Sequence, residues 1–269
     1  MEKLKLISWN VDGLRARCKA GQFIKLLQVD FDILCLQETK TPELDIPQEI
    51  RSDKKYYSHF SEVQKGSFAG VGILSKIECR QISDNFGGTK FDKEGRILIA
   101  EYDRFTLLNI YFPLGAGKPD TPDTLSHKLE FYDTLLGFVK ELLSQKKNVI
   151  ICGDFNIAHK DKDLVNAKTT PLIVGIYPEE REKLNELERL GFVDAFRYKH
   201  PNLVRYSRWP YQNNSRELNL GWRLDYFFVS AGLKDSITES EMLYHPGESD
   251  SHPQIAGSDH CPITLELSM

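Results

Sequence analysis

The chain has 269 residues, 41% apolar and 28% charged, a balance that supports a large folded core and excludes a disordered or collagen-like chain. Its formal charge of −4 and pI near 6.0 exclude a global field that gathers polyanions, so a nucleic-acid ligand needs a local basic patch. The first ten residues lack a signal-peptide core and no run approaches the roughly 18 apolar residues that span a bilayer, so a cytoplasmic protein, or a nuclear one in a eukaryote, with no membrane partner is expected.

Taken in chain order, short strand-like apolar runs each stop at a small polar cluster. The first covers residues 4–9 and ends at Asn10, Asp12 and Gly13. A short helix is predicted over 22–28, then a strand over 33–36 that ends at Gln37-Glu38-Thr39. A strand over 106–112 carries Asn109 and Tyr111 and stops at Pro113. Residues 126–143 space Leu129, Tyr132, Leu135, Leu136, Val139 and Leu142 as one helical face behind a Ser126 cap. The strand over 149–152 runs into Gly153-Asp154-Phe155-Asn156. A helix over 178–190 begins with Pro178-Glu179-Glu180, repeats Leu184, Leu187 and Leu190, and stops at Gly191. Strands over 223–230, containing Asp225, and 263–267, preceded by Gly257-Ser258-Asp259-His260, complete the pattern. Loops are expected over 113–124, 166–177, 213–220 and 244–258. No linker or repeat divides the chain, so one domain over 1–269 is expected.

Cys18, Cys35, Cys79, Cys152 and Cys261 are odd in number and form no C-x-x-C pair, which predicts reduced thiols rather than a disulfide or zinc framework. Asp and Asn end many strands simply because they make turns. Here Asn10, Asp12, Glu38, Asp154, Asn156 and Asp259 all sit beside buried-looking strands, and converging carboxylates repel unless a cation neutralises them. An all-oxygen donor set favours Mg²⁺, with Mn²⁺ substituting, over zinc, and Mg²⁺ commonly meets phosphate. A single histidine is more often a hydrogen-bonded structural residue. His260, between Asp259 and Cys261-Pro262, suits transition-state stabilisation if a buried Asp225 orients it.

Eight blocks in order are similar to the exonuclease III/abasic-site endonuclease family: Ile7–Arg15 (ISWNVDGLR), Leu34–Lys40 (LCLQETK), Gly66–Ser75 (GSFAGVGILS), Glu94–Arg96 (EGR), Asn109–Pro113 (NIYFP), Cys152–Asn156 (CGDFN), Gly221–Tyr226 (GWRLDY) and Gly257–Pro262 (GSDHCP). The likeness spans essentially the whole chain. It implies an α/β fold, a four-layer sandwich of two mixed sheets packed face to face between helices. It implies a DNA phosphodiesterase of base excision repair that cuts 5′ to abasic sites and trims 3′ ends. It implies a metal site at Asn10 and Glu38 with Asp12 nearby and Asp259 contributing, and Asp154, Asn156 and His260 around the same ion. Asp154 corresponds to the residue that orients or deprotonates water, Asn156 to its polarising partner, His260 with Asp225 to the phosphate-binding electrophile, and Tyr111 to the phenol beside the phosphate or leaving oxygen.

The partner implied is double-stranded DNA carrying abasic sites or blocked 3′ ends, bound by a monomer. The stretch from Arg205 to Arg223 interleaves arginines with aromatics, which suits phosphate contact and stacking; the same pattern arises when the aromatics are core and the arginines solvated. Arg208, Trp209 and Trp222 are the substrate candidates there, with Trp222 implied by the resemblance to line the pocket for a base-less sugar. Arg15 and Lys118 are candidate backbone contacts. Three positions depart from the family's pattern: Leu114 replaces an amide, Arg208 an aromatic, and the loop 168–175 lacks asparagines. All three bear on substrate grip. Two other readings remain open: the same chemistry on RNA or a lipid phosphoester, and a catalytically silent DNA-binding relative.

Overall fold

Alternation at period two decides which side chains of each strand meet across the molecule. The computed structural model describes residues 2–61, 63, 69–117, 124–245 and 257–269. In chain order they form β1 (Lys3–Asn10), α1 (Leu14–Lys19), α2 (Gln22–Leu27), β2 (Ile33–Gln37), α3 (Gln48–Arg51), β3 (Tyr57–Phe60), β4 (Val71–Ser75), β5 (Gln81–Ser83), β6 (Ile97–Glu101), β7 (Thr106–Tyr111), α4 (Leu125–Ser144), β8 (Val149–Asp154), α5 (Pro178–Arg189), β9 (Phe192–Asp194), α6 (Ala195–Lys199), β10 (Asp225–Ser230), β11 (Ile237–Glu239) and β12 (Ile263–Ser268).

The strands make two six-stranded sheets, ordered β11-β12-β1-β2-β4-β3 and β5-β6-β7-β8-β10-β9. Only β1 with β2 and β7 with β8 pair in parallel; the other neighbours run antiparallel. Leu4, Leu6, Ile33 and Cys35 of one sheet meet Ile150, Cys152, Phe227 and Val229 of the other in a shared apolar layer. The alternate residues turn outward. Ile7, Trp9 and Leu34 pack with Leu14, Phe23 and Leu26 of α1 and α2, and Leu108, Ile151 and Phe228 with Phe131, Leu135, Leu184 and Leu187 of α4 and α5. This is the four-layer sandwich implied by the resemblance, and each large side chain fully buried in it contributes about 1.5–3 kcal/mol.

The predicted strands are present, each extended by a residue or two or trimmed at its ends. The strands not anticipated include β3, β5, β9 and β11, three or four residues long, and these four form the sheet edges. Pairing across the sheet, rather than their own pattern, keeps such short segments extended. Helix α4 is capped by Thr124, whose hydroxyl accepts from the His127 N–H, rather than by Ser126. Helix α5 starts at Pro178 as expected, and Gly191 lies past its end at φ 92°. All five cysteines are free thiols, with Cys35, Cys152 and Cys261 buried. Among the described residues no helix is long and apolar enough to cross a membrane.

Candidate active site

Along the inward faces, the side chains turn from apolar to polar at one rim of the sandwich. β1 reads Leu4, Leu6, Ser8, Asn10; β2 reads Ile33, Cys35, Gln37; β7 reads Leu107, Asn109, Tyr111; β8 reads Ile150, Cys152, Asp154. Parallel pairing ends β1 beside β2 (Asn10 opposite Gln37) and β7 beside β8 (Tyr111 opposite Asp154), while antiparallel β10 begins there, with Asp225 opposite Asp154. A buried polar floor lies beneath: Gln37 Nε2 donates to Ser8 Oγ and Asn109 Oδ1, and Asn109 Nδ2 donates to the Leu36 and Gly72 carbonyls. It ties the two sheets together under the rim.

Past the rim the backbone turns sharply. Asp12, Glu38 and Asn156 take positive φ of 45°, 49° and 53° just beyond β1, β2 and β8. Such left-handed residues cost roughly 1–3 kcal/mol each and persist only where the surroundings hold them. Gly153 is required for the β8 approach, since a Cβ there would lie 1.9 Å from the Ile110 carbonyl oxygen.

A chain of contacts crosses the rim. Asn10 Nδ2 donates to Glu38 Oε1 (2.8 Å) and Asp154 Oδ2 (3.0 Å), and the Asn156 N–H donates to Asp154 Oδ1 (2.9 Å). His260 Nε2 stands 3.7 Å from Asp154 Oδ2 and 4.0 Å from Asp259 Oδ1, while Nδ1 is 2.8 Å from Asp225 Oδ2. Ser207 Oγ donates to that same Asp225 oxygen at 2.6 Å. The loop of His260 is pinned by Ser258, which donates to the Asn10 carbonyl, and by Arg216, whose Nη2 donates to the Ser258 and His260 carbonyls.

Burial alone would pull the His260 imidazole down, but the charges of Asp225, Asp154 and Asp259 and the Asp225 hydrogen bond outweigh it and raise its pKa to about 10. It is an imidazolium at neutral pH. Burial pushes Asp154 up to about 7, with Asp225 and Glu38 adding to the rise and His260 opposing it, so its carboxyl sits where a proton moves readily. Burial, together with Glu38 and Asp154, holds the Tyr111 phenol well above its ordinary pKa, and its hydroxyl hydrogen-bonds Glu38. Tyr111 is therefore a neutral donor, steadied by the Arg96 guanidinium 5.0 Å over its ring.

The donors at the rim fit a hard divalent cation. Asp12 and Glu38 converge on a cation already: Lys40 Nζ lies 2.5 Å from Asp12 Oδ1 and 2.9 Å from Glu38 Oε2. The acids outnumber the cations Lys40, Arg208 and His260, and the nearby donors are carboxylates, the amides of Asn10 and Asn156 and one imidazole. Asn10 turns its amide nitrogen to the carboxylates, while its Oδ1 accepts from the Asp12 N–H.

Beside these groups opens a cleft of about 410 Å³ walled by Leu114, Ile173, Gly175, Arg208, Trp222 and Leu224. Of the substrate candidates, Trp222 and Arg208 line it, and Arg15 is exposed. Trp209 is corrected: at 1% exposure it belongs to the core, with its Nε1 donating to Asn219. Arg223 is not a DNA contact either. It is fully buried, with paired bonds to Asp163 and to Asp194. Lys118 lies outside the described residues. The sequence reading missed Lys40, Ser207 and Arg216 as positioning groups, and Tyr211, whose hydroxyl donates to Asp12 Oδ2 at 2.6 Å. Lys40 and Glu38 are near neighbours in the chain, but the partners of Ser207, Tyr211 and Arg216 come from distant segments, so local pattern does not mark their roles.

The model of the Endonuclease/Exonuclease/phosphatase family matches residues 7–260. An exodeoxyribonuclease of Bacillus subtilis is 34% identical over 99% of this chain and 100% of its own. The DNA repair nuclease APEX1 of Danio rerio is 38% identical over 99% of this chain and 83% of its own. Among solved structures, an AP endonuclease from Archaeoglobus fulgidus superposes with a TM-score of 0.84 at 26% identity, covering 99% of this chain and all of that one.

Proposed function

This chain belongs to the endonuclease/exonuclease/phosphatase family and is a DNA-repair nuclease, and we propose that it acts, as one catalytic domain, as a Mg²⁺-dependent phosphodiesterase at abasic sites and 3′ ends of duplex DNA. The observation that carries this reading is the continuous chain Glu38–Asn10–Asp154–His260–Asp225 at a single rim.

The residues divide the work. His260, held by Asp225 through Nδ1, directs a positively charged Nε2 edge toward a phosphate oxygen and stabilises the charge that builds there. Asp154 accepts the proton of the attacking water, its second oxygen fixed by the Asn156 N–H. The Asn156 side chain is held by Nδ2 donating to the Phe112 carbonyl, so its Oδ1 is turned to orient that water. Tyr111, a neutral phenol, donates to the phosphate or the leaving oxygen. Glu38 and Asp12, with Asn10 and Asp259, would hold the cation, which when bound neutralises phosphate charge as the bond breaks.

The test uses a labelled duplex with one abasic-site analogue, incubated with Mg²⁺ or a chelator. Cleavage on the 5′ side with Mg²⁺ alone is expected. Asp154→Asn and His260→Asn should each lower turnover about 10²- to 10⁴-fold while circular dichroism stays unchanged. Near-normal turnover in either variant refutes the assigned roles, and binding without cleavage by the unaltered protein refutes the enzyme.

A further inference from the structure

The cleft wall carries a guanidinium placed beside His260 by backbone pairing. Arg208 exchanges two hydrogen bonds with Trp222, its N–H and carbonyl each pairing at 2.9 Å. On its other side it forms an antiparallel bridge with His260. Directly opposed residues in such bridges send their side chains to one face, and all three side chains line the cleft. The guanidinium is tethered at Nε alone, 2.9 Å from Asp259 Oδ2. Its two Nη groups donate no hydrogen bond among the described residues. The surrounding wall, Leu114, Ile173, Trp222 and Leu224, is largely apolar.

We infer that Arg208 is a specificity-determining residue that tilts the site toward DNA ends bearing a terminal phosphate, at the expense of base-less sugars; the inference rests on the nuclease reading above. In a diester, two phosphate oxygens are free and the cleft must take the second sugar. In a 3′-phosphate monoester, a third anionic oxygen occupies that direction, and the paired Nη donors beside His260 match it by charge and geometry. A neutral sugar gains nothing from a guanidinium it must partly desolvate. The step itself is hydrolysis: water oxygen bonds to phosphorus, the P–O3′ bond breaks, and the water proton taken by Asp154 is matched by one delivered to the leaving oxygen. The products are a 3′-hydroxyl and inorganic phosphate.

The experiment compares two duplexes in Mg²⁺, one nicked with a 3′-phosphate and one with an abasic-site analogue, for wild type, Arg208→Ala, Arg208→Phe and Arg208→Lys. The ratio of kcat/KM for phosphate release to kcat/KM for incision should fall about 10- to 100-fold in the Ala and Phe variants, as loss of a charge-assisted contact predicts, and partly recover in the Lys variant. Inhibition by inorganic phosphate should weaken in parallel. A ratio that stays constant while both rates fall overturns the proposal, because Arg208 then acts only through Asp259. If wild type incises the abasic duplex but releases no phosphate, the inference alone fails; if it does neither, the nuclease reading fails and the inference with it.

Discussion

The buried pair Lys128–Glu180 offers the sharpest stability test, because both side chains are fully shielded and each has a defined set of partners. Lys128 Nζ lies 2.6 Å from Glu180 Oε1 and also donates to the carbonyls of Asn156 (2.7 Å) and Leu114 (3.2 Å). Glu180 Oε2 accepts from the N–H groups of Gly175 and Tyr177. One ion pair therefore fastens three segments of the cleft, around Leu114, Asn156 and Gly175. Lys128→Met takes the ammonium away from a buried carboxylate, and Glu180→Gln takes the carboxylate away from a buried ammonium. Each should cost about 3–5 kcal/mol, a large share of the roughly 5–15 kcal/mol that holds a folded protein. In the double variant neither charge remains, so its loss should be smaller than the sum of the two by about 2 kcal/mol. Urea unfolding followed by circular dichroism measures all four proteins. The reasoning fails if the single variants lose less than 1 kcal/mol each, or if the double variant loses the full sum.

Two further expectations follow from the charged groups. Mg²⁺ or Mn²⁺ at a hundredfold excess over its dissociation constant should stabilise the folded protein by about 2.7 kcal/mol; a Glu38→Ala variant should lack the shift, and an unchanged melting temperature for the unaltered protein would exclude a bound cation. Burial alone would raise the Asp163 carboxyl, but Arg223, the Lys160 N–H and Arg197 outweigh it and depress it to about 2 from 3.8. A depressed folded pKa gives stability that is complete above the unfolded value and is lost as pH falls through the folded one. About 2 kcal/mol should therefore disappear between about pH 5 and pH 2, a slope that Asp163→Asn should lack when urea midpoints are compared across that range.

Much of the site is written locally. Asn10, Asp154 and Asp225 each end or begin a strand, Glu38 lies one residue past another, and the contrast between those short apolar runs and their polar tips is visible without coordinates. The Pro178 start and Gly191 stop of α5 are equally legible, since capping uses neighbours in sequence. The aromatic-arginine stretch is where the pattern misleads. Trp209 and Trp222 look alike on paper, yet one is core and the other walls the cleft; Arg208, Arg216 and Arg223 look alike, yet one faces the cleft, one pins the His260 loop, and one is buried between two aspartates.

The amino-acid order by itself determined the strands that carry the site, as short apolar runs, and the acids and amides at their tips, because strand propensity and turn chemistry are short-range. Only the tertiary structure decided that Asn10 meets Glu38 and Asp154, that Asp225 from a reversed strand reaches His260, and that Arg208 stands between Trp222 and His260. Parity says which face a side chain takes; it carries no information about which other strand will pair beside it, and that choice rests on the sheet order and the packing of one sheet on the other.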